Sequence, residues 1–180
     1  MPTILKREFA PMSDQAWKQL DAEAARVIRL NLTGRKVVDF SVPHGWELGS
    51  VNLGRLDTAK EKAVDGVGWG VRQNLPIIET RTFFTLSQFE LDNYSRGSED
   101  VDIDPLLDAV TKAARFEDNA VFNGFADGQI RGLAGASAHK PVLLPTAPEM
   151  YPGAVASAIE ALVDAKINGP YALVLGNSEF

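Results

Sequence analysis

The sequence contains no cysteine and only two histidines among its 180 residues. Without cysteine, the chain can form no disulfide, no thiolate metal site and no cysteine nucleophile. The two histidines, His44 and His139, lie far apart in the sequence. Glu47 follows His44 at a spacing that could share a metal ion, but no further ligand stands nearby, and a metal site needs three or four. We therefore expect no metal site.

Long hydrophobic runs and an excess of positive charge are also absent. No segment approaches the roughly 20 apolar residues of a membrane span, and residues 1–8 hold no apolar run typical of a signal peptide. The net charge of −6 argues against a protein that coats nucleic acid, because such proteins usually show a basic face. These absences predict a cytoplasmic protein with neither a membrane nor a nucleic acid as partner.

No constellation of catalytic residues is present. None of Ser13, Ser41 and Ser87 stands in a Gly-x-Ser-x-Gly context, so the sequence gives no support to nucleophilic hydrolysis. Glu117 and Asp118 could be taken for paired acid and base groups, but neighbours on a helix point about 100° apart. We expect these carboxylates to form structural ion pairs or subunit contacts, and we expect the chain not to be an enzyme.

Helical periodicity and end signals predict a first helix after Ser13 and a second after Ser87. Ser13 stands at the N-cap of an apolar stripe that includes Trp17, which we expect in the core, and Gly34 is a natural C-terminal stop. In the second helix, Glu90 follows Ser87 at the capping-box spacing.

A long helix and a shorter one follow in the second half of the chain. The long helix begins at Asp104 and Pro105, an N-cap and N1 pair, and ends at Gly124. Its apolar positions are spread widely, so we expect burial around much of its circumference. The shorter helix spans about residues 151–166.

Segments of strand character accompany these helices, at residues 36–42, 77–84 and 170–175. In 77–84, apolar and charged residues alternate, so one face needs cover from another surface. Residues 170–175 are largely apolar and predict a buried strand. Helices and strands together predict an α+β protein.

Residues 43–74 are rich in glycine, with polar residues between short apolar pairs. We interpret them as a long, exposed two-stranded excursion. An isolated hairpin is marginally stable in water, so we expect this one to pack on another subunit. The expected subunit contacts are Trp46, Leu53, Gly54 and Trp69.

Several segments of the chain resemble the encapsulin family, bacterial shell proteins first described as linocin-type bacteriocins. Their order and spacing agree over nearly the whole chain. They are LKREFAPM at 5–12, Trp17, GRKVVD at 34–39, PHGWE at 43–47, Leu53-Gly54, LPIIETR at 75–81, FTL at 84–86, ELDN at 90–93, Arg96-Gly97, FED at 116–118, FNG at 122–124, Gly132-Leu133 and GPYALVL at 169–175.

The resemblance implies the major capsid protein fold of tailed bacteriophages. Residues 1–42 would form the N-terminal arm and the start of the peripheral (P) domain, and 43–82 an extended (E) loop. Residues 83–133 would complete the P domain with its spine helix at 104–123, and 134–180 would be a partial axial (A) domain. Because family members continue further, we expect the C-terminal part to be missing, by natural truncation or because the chain is a fragment.

The resemblance also implies a function. Encapsulins self-assemble into icosahedral shells around cargo enzymes, such as ferritin-like proteins or dye-decolorising peroxidases, which a short terminal targeting peptide recruits. The alternatives are a phage or prophage major capsid protein and, with less support, a secreted bacteriocin. Mapped by segment, the residues expected to bind the cargo peptide are Val27, Leu30, Asn31, Arg35 and Asp39.

Some family members bind a flavin on a tryptophan with an arginine nearby. Arg81 matches the arginine, but Phe89 stands at the tryptophan position. Phenylalanine offers a smaller ring without an N–H group. The resemblance thus makes Arg81 and Phe89 the candidate flavin contacts, with the substitution at the tryptophan position counting against a flavin site, and otherwise implies no cofactor.

Overall fold

A computed structural model describes residues 5–41, 44–58 and 65–176. The chain divides into two compact units, Met1–Leu133 and Ala134–Phe180. The elements in chain order are α1 (Asp14–Asn31), β1 (Ser50–Thr58), β2 (Gly70–Pro76), α2 (Gln88–Ser95), α3 (Asp104–Asn123), α4 (Leu133–Ala136) and α5 (Tyr151–Asp164), with short 3-10 turns at Arg7–Phe9, Gly34–Lys36, Ala126–Gly128 and Pro148–Met150. The predicted mixture of helices and strands is confirmed. No helix within the described ranges is long and apolar enough to cross a membrane.

Helix α1 begins as predicted, because the Ser13 hydroxyl accepts a hydrogen bond from the backbone N–H of Ala16 at 3.2 Å. Two expectations for this region are wrong. Trp17 is only half-buried, and the guanidinium of Arg7 lies over its ring, 4.7 Å from the ring centroid. Gly34 does not cap α1, which ends at Asn31; it opens a 3-10 turn and is buried there.

The core of the first unit lies where α1, α2 and α3 meet. Helix α3 buries small and branched residues along one side, which suits close packing against α1. We expected burial around much of α3, but its buried residues are confined to Leu106, Ala109, Val110, Ala114 and Ala120. The buried cluster shared by the three helices consists of Leu20, Val27, Leu91, Leu106 and Val110.

The ends of α2 and α3 differ in detail from the predicted caps. Ser87 stands at the N-cap of α2 without a side-chain cap bond, so the capping box is not formed. The Glu90 carboxylate instead accepts from the backbone N–H of Asp102, 3.2 Å away. Asp104 is the first residue of α3, and Ile103 occupies the N-cap. Gly97 adopts a φ of 92° just after α2, a left-handed conformation that glycine tolerates best at this position.

The predicted two-stranded excursion is confirmed for the residues that the structure describes; its tip, 59–64, lies outside them. Strands β1 and β2 pair antiparallel, from Ser50 opposite Pro76 to Thr58 opposite Gly70. A bulge interrupts β1 between Asn52 and Leu56. Extra residues in β1 there require a sharp turn, which the positive φ of 68° at Gly54 provides.

The predicted strands at 36–42, 77–84 and 170–175 are wrong, within the described residues; residue 42 lies outside them. Strands need a neighbour for their backbone groups, and the one sheet of the described chain has only β1 and β2. The backbone N–H groups of Val37 and Val38 donate to Gly34 inside a turn. Ile77 still donates to Gly49, after which pairing stops. In 170–175, Leu173 is exposed rather than buried.

The second unit contains α5, confirmed close to its predicted bounds. No described residue of this unit is buried. A groove of about 420 Å³ lies along the helix, and its walls are almost entirely apolar. The walls include Val142, Leu144, Val155, Ile159, Leu162 and Leu173.

Candidate functional site

An apolar groove of about 400 Å³ opens on the first unit between α1, α3 and the extended residues 76–80. Three segments far apart in the sequence form its walls. Because the walls are mostly aliphatic and aromatic, the groove favours apolar side chains over charged ones. Its lining includes Ile28, Leu32, Ile77, Ile78, Phe116 and Val121.

Arg35 and Glu117 supply the charged part of this lining. Two hydrogen bonds join them, one of which links Arg35 Nη2 to Glu117 Oε2 over 2.7 Å. The bond to Glu117 raises the pKa of Arg35, and partial burial offsets part of that rise. The Arg35 guanidinium also lies 4.5 Å from the ring centroid of Phe40. Arg35 is thus held in place on two sides.

Asp118 faces a different partner from its neighbour Glu117. Its carboxylate accepts hydrogen bonds from the backbone N–H groups of Thr33 and Gly34, both at 2.9 Å. Val121 packs so closely that a Cβ on Gly34 would lie 3.1 Å from it. Both carboxylates therefore hold the segment after α1 against α3. Glu117 does so through the ion pair predicted for it, whereas Asp118 accepts from backbone N–H groups instead of forming an ion pair.

The residues predicted to bind a cargo peptide lie in different environments, and their role as peptide contacts stays a prediction. Arg35 lines the groove, whereas Val27 belongs to the buried core. Leu30 is 65% exposed, and Asn31 donates its side-chain amide to the carbonyl of Val27. Asp39 is exposed. Sequence reasoning missed the groove walls formed by α3 and by residues 76–80, because only tertiary packing brings these segments together. The nearest signal in the sequence was the alternation of residues 77–84, which indicated that one face of this segment needs a covering surface.

The two candidate flavin contacts are both accessible to solvent. Arg81 Nε donates to the Glu79 carboxylate at 2.6 Å, and Phe89 is 67% exposed. No cation–π contact joins Arg81 to Phe89 among the residues described. Flavin binding at this pair stays a prediction.

The β1–β2 hairpin presents a second candidate surface. Trp46 is 66% exposed, and the other expected subunit contacts, Leu53, Gly54 and Trp69, are exposed as well. The strands pack chiefly on each other, and no other helix or strand of the described chain covers them substantially. Contiguous exposed apolar residues typically mark an interaction site. Their role as subunit contacts stays a prediction.

Possible metal ligands do not cluster in the described parts of the chain: no group of three or more His, Asp or Glu side chains could hold an ion there.

Comparison with known proteins shows to which family the sequence is similar. Residues 2–180 match a family model, Linocin M18, described as an encapsulating protein for peroxidase. The chain is 39% identical to a type 1 encapsulin shell protein of Mycolicibacterium paratuberculosis, over 95% of this chain and 64% of that protein. It is 41% identical to one of Rhodospirillum rubrum, over 98% and 65%, and 37% identical to one of Rhodococcus erythropolis, over 99% and 67%. The chain therefore spans about two thirds of the length of these relatives.

Proposed function

This chain belongs to the family of encapsulin shell proteins, and from that membership we propose that it is a subunit of a self-assembling protein shell. Copies of the chain associate into a closed icosahedral particle that encloses a cargo enzyme and lies in the cytoplasm. The shell has a structural role, and the chemistry belongs to the cargo. The support comes from the relatives that the chain matches over about two thirds of their length, which are named type 1 encapsulin shell proteins.

The observation that carries the proposal is the exposed hairpin. Val51, Val71 and Leu75 lie on one face of the ribbon, between 41% and 60% exposed. Full burial of a fully exposed side chain of this kind is worth about 1.5–3 kcal/mol, and these side chains, about half-exposed, would gain roughly half of that on being covered. A two-stranded ribbon with this face open to water is marginal, and a neighbouring subunit in a shell would cover it.

The proposed fold is that of tailed-phage major capsid proteins. In this assignment α3 is the spine helix of the P domain, and the hairpin lies within an E-loop at 43–82. The second unit is the beginning of the A domain. The 20-residue length of α3 and its contact with α1 suit a spine on which the rest of the P domain packs.

We further propose that the apolar groove of the first unit receives the targeting peptide of the cargo. The groove offers aliphatic walls for apolar peptide side chains, and Arg35 and Glu117 at its wall offer hydrogen bonds that fix the peptide's direction. This proposal replaces the scattered set of predicted residues with one surface, in which Arg35 alone is retained.

Assembly is tested by size-exclusion chromatography with negative-stain electron microscopy on the purified chain. We expect large, closed, spherical particles. A compact monomer at every concentration would refute shell formation by this chain. The ultraviolet absorbance of the particles distinguishes cargo from genome, because abundant packaged nucleic acid would favour a phage capsid protein instead.

Peptide binding in the groove is tested with a reporter protein that carries the terminal targeting peptide of a candidate cargo enzyme. Thr80 lines the groove and is exposed, so Thr80→Trp should fill part of the groove and reduce reporter retention. Thr82→Trp is the matched control, since Thr82 is exposed and lies outside the lining. Equal retention by both variants would place the peptide elsewhere.

A further inference from the structure

Two asparagine–glycine pairs occur in the chain, Asn123–Gly124 and Asn168–Gly169. In such a pair the backbone nitrogen of the glycine can attack the side-chain amide carbon of the asparagine, because the glycine carries no Cβ that would hinder the approach. The two reacting groups are adjacent in one chain, which gives ring closure the advantage of an intramolecular reaction. Whether a pair reacts in the folded protein then depends on how firmly its two groups are held.

The first pair, at the end of helix α3, is held by hydrogen bonds and by packing. The backbone N–H of Gly124 donates to the carbonyl of Ala120 at 3.0 Å, and the Asn123 side-chain amide donates to the Asn119 side chain at 2.7 Å. A Cβ on Gly124 would lie only 2.8 Å from the backbone nitrogen of Gly132, so this backbone has little room to move. Because Asn123 is exposed, these contacts restrain the pair and burial does not.

The second pair follows helix α5 and lacks such restraint. The hydrogen bonds that close the end of α5 reach as far as Ile167, whose N–H donates to the carbonyl of Leu162 at 3.0 Å. In the described part of the chain, neither the Asn168 side chain nor the backbone N–H of Gly169 has a hydrogen-bond partner. Both residues are exposed. Local motion of such a segment costs little free energy, so the glycine nitrogen can reach the amide carbon.

We propose that Asn168 is a modification site, at which the folded chain deamidates spontaneously while Asn123 stays protected. The backbone nitrogen of Gly169 gives up its proton and forms a bond to the side-chain amide carbon of Asn168. The bond from that carbon to the amide nitrogen breaks, and ammonia leaves with the proton. The cyclic succinimide that remains is opened by water at either of its carbonyls, which yields aspartate or β-linked isoaspartate without any oxidation or reduction.

Either product places a new negative charge on an exposed segment of the second unit. The isoaspartate form also carries a free α-carboxylate, which is the group that a protein isoaspartyl methyltransferase methylates. Carboxyl methyl transfer is therefore the class of reaction that would consume this product. The inference goes beyond the proposed shell function and does not depend on assembly.

Peptide mapping by tandem mass spectrometry tests the site on the full chain, incubated at mildly alkaline pH and sampled over time. Asn123 is the internal control for Asn168, because a glycine follows both. The hydrogen bond of Gly124 must open before ring closure, and one such bond shifts an equilibrium by about tenfold. Since packing restrains Gly124 as well, we expect deamidation at Asn168 to be at least about tenfold faster than at Asn123.

The same chain unfolded in guanidinium chloride is the second control, because the structural difference between the pairs is then removed. In the unfolded chain the two asparagines should deamidate at similar rates. A difference as large as that in the folded chain would overturn the inference, because local sequence would then set the rates. Deamidation of the folded chain that is as fast at Asn123 as at Asn168, or that is absent at Asn168, would overturn it too.

Methyl incorporation by a protein isoaspartyl methyltransferase gives an independent readout on chains that have been incubated in the same way. Asn168→Gln should lower the incorporation relative to the unsubstituted chain, because the longer side chain closes a ring less readily. Asn123→Gln is the matched control and should leave the incorporation unchanged. Equal incorporation by Asn168→Gln and the unsubstituted chain, or an equal loss in both variants, would overturn the assignment of the site to Asn168.

Discussion

The carboxylate of Asp118 holds the segment after α1 against helix α3, and its removal is a direct test of the packing described for the first unit. Asp118→Ala removes the acceptor of two backbone N–H groups, those of Thr33 and Gly34, each bonded at 2.9 Å. Gly34 is buried, so water has little access to its N–H once the carboxylate is gone.

The expected loss follows from the cost of a buried donor without a partner, about 1–3 kcal/mol for each group. Thr33 is only half-buried, and water can replace part of its lost bond. We therefore expect Asp118→Ala to lower the free energy of unfolding by about 2–4 kcal/mol, the sum of one full and one reduced cost. Such a loss is a large part of the stability of an ordinary domain.

Glu117→Ala is the matched control, because it removes a carboxylate from the adjacent residue of the same helix. The side chains of Glu117 and Arg35 are 37% and 39% exposed. Ion pairs in that environment contribute about 0–1 kcal/mol. We expect Glu117→Ala to cost less than about 1 kcal/mol in the free energy of unfolding, despite the short distance to Arg35.

Urea unfolding followed by far-ultraviolet circular dichroism measures both variants, at one protein concentration and with the assembly state checked beforehand. The order of the two losses decides the outcome. If Glu117→Ala were as destabilising as Asp118→Ala, the side-chain pair would dominate over the backbone contacts, and the reasoning would be refuted.

Further predictions concern burial, close approach and titration. Leu20→Ala should lower the free energy of unfolding by about 2–5 kcal/mol, because Leu20 is only 4% exposed. Leu30 is 65% exposed, so Leu30→Ala should change the free energy of unfolding little in the same urea titration. Gly132→Ala should unfold at much lower temperature, since its Cβ would clash with the backbone of Asn123 and Gly124. Gly153→Ala, whose Cβ would lie in open space, should be neutral or stabilising, and a similar melting temperature for both variants would contradict the packing. Burial, aided by a nearby carboxylate, raises the pKa of Tyr94, so the folded state resists ionisation of its hydroxyl. The free energy of unfolding should therefore fall as the pH rises past the ordinary tyrosine pKa, about 10. Tyr94→Phe should reduce this alkaline loss, as measured by melting at a series of pH values.

Local signals were reliable where a few neighbouring residues decide the conformation. Ser13 caps α1 because its hydroxyl reaches the N–H of a residue three positions on. The glycines of 43–74 identified an exposed hairpin, and the motif segments identified the family over nearly the whole chain. Each of these depends on short-range geometry or on the residue order itself.

Other features depended on partners that the sequence pattern does not name. Residues 77–84 alternate like a strand but have no neighbouring strand within the described residues, so alternation alone was misleading. Trp17 lies on the apolar stripe, yet it is only half-buried, and its ring is covered by a charged guanidinium, that of Arg7. Val27 was predicted as a peptide contact, but the meeting of α1 with α2 and α3 buries it.

The sequence by itself determined the approximate places of the helices, the hairpin and the family, because these follow from local propensity and from the order of residues along the chain. Tertiary structure alone decided where the apolar groove lies, and that Glu117 and Asp118 turn to different partners. The physical reason is that contacts between distant segments, such as Asp118 with Gly34, form only when packed helices bring them within hydrogen-bonding distance.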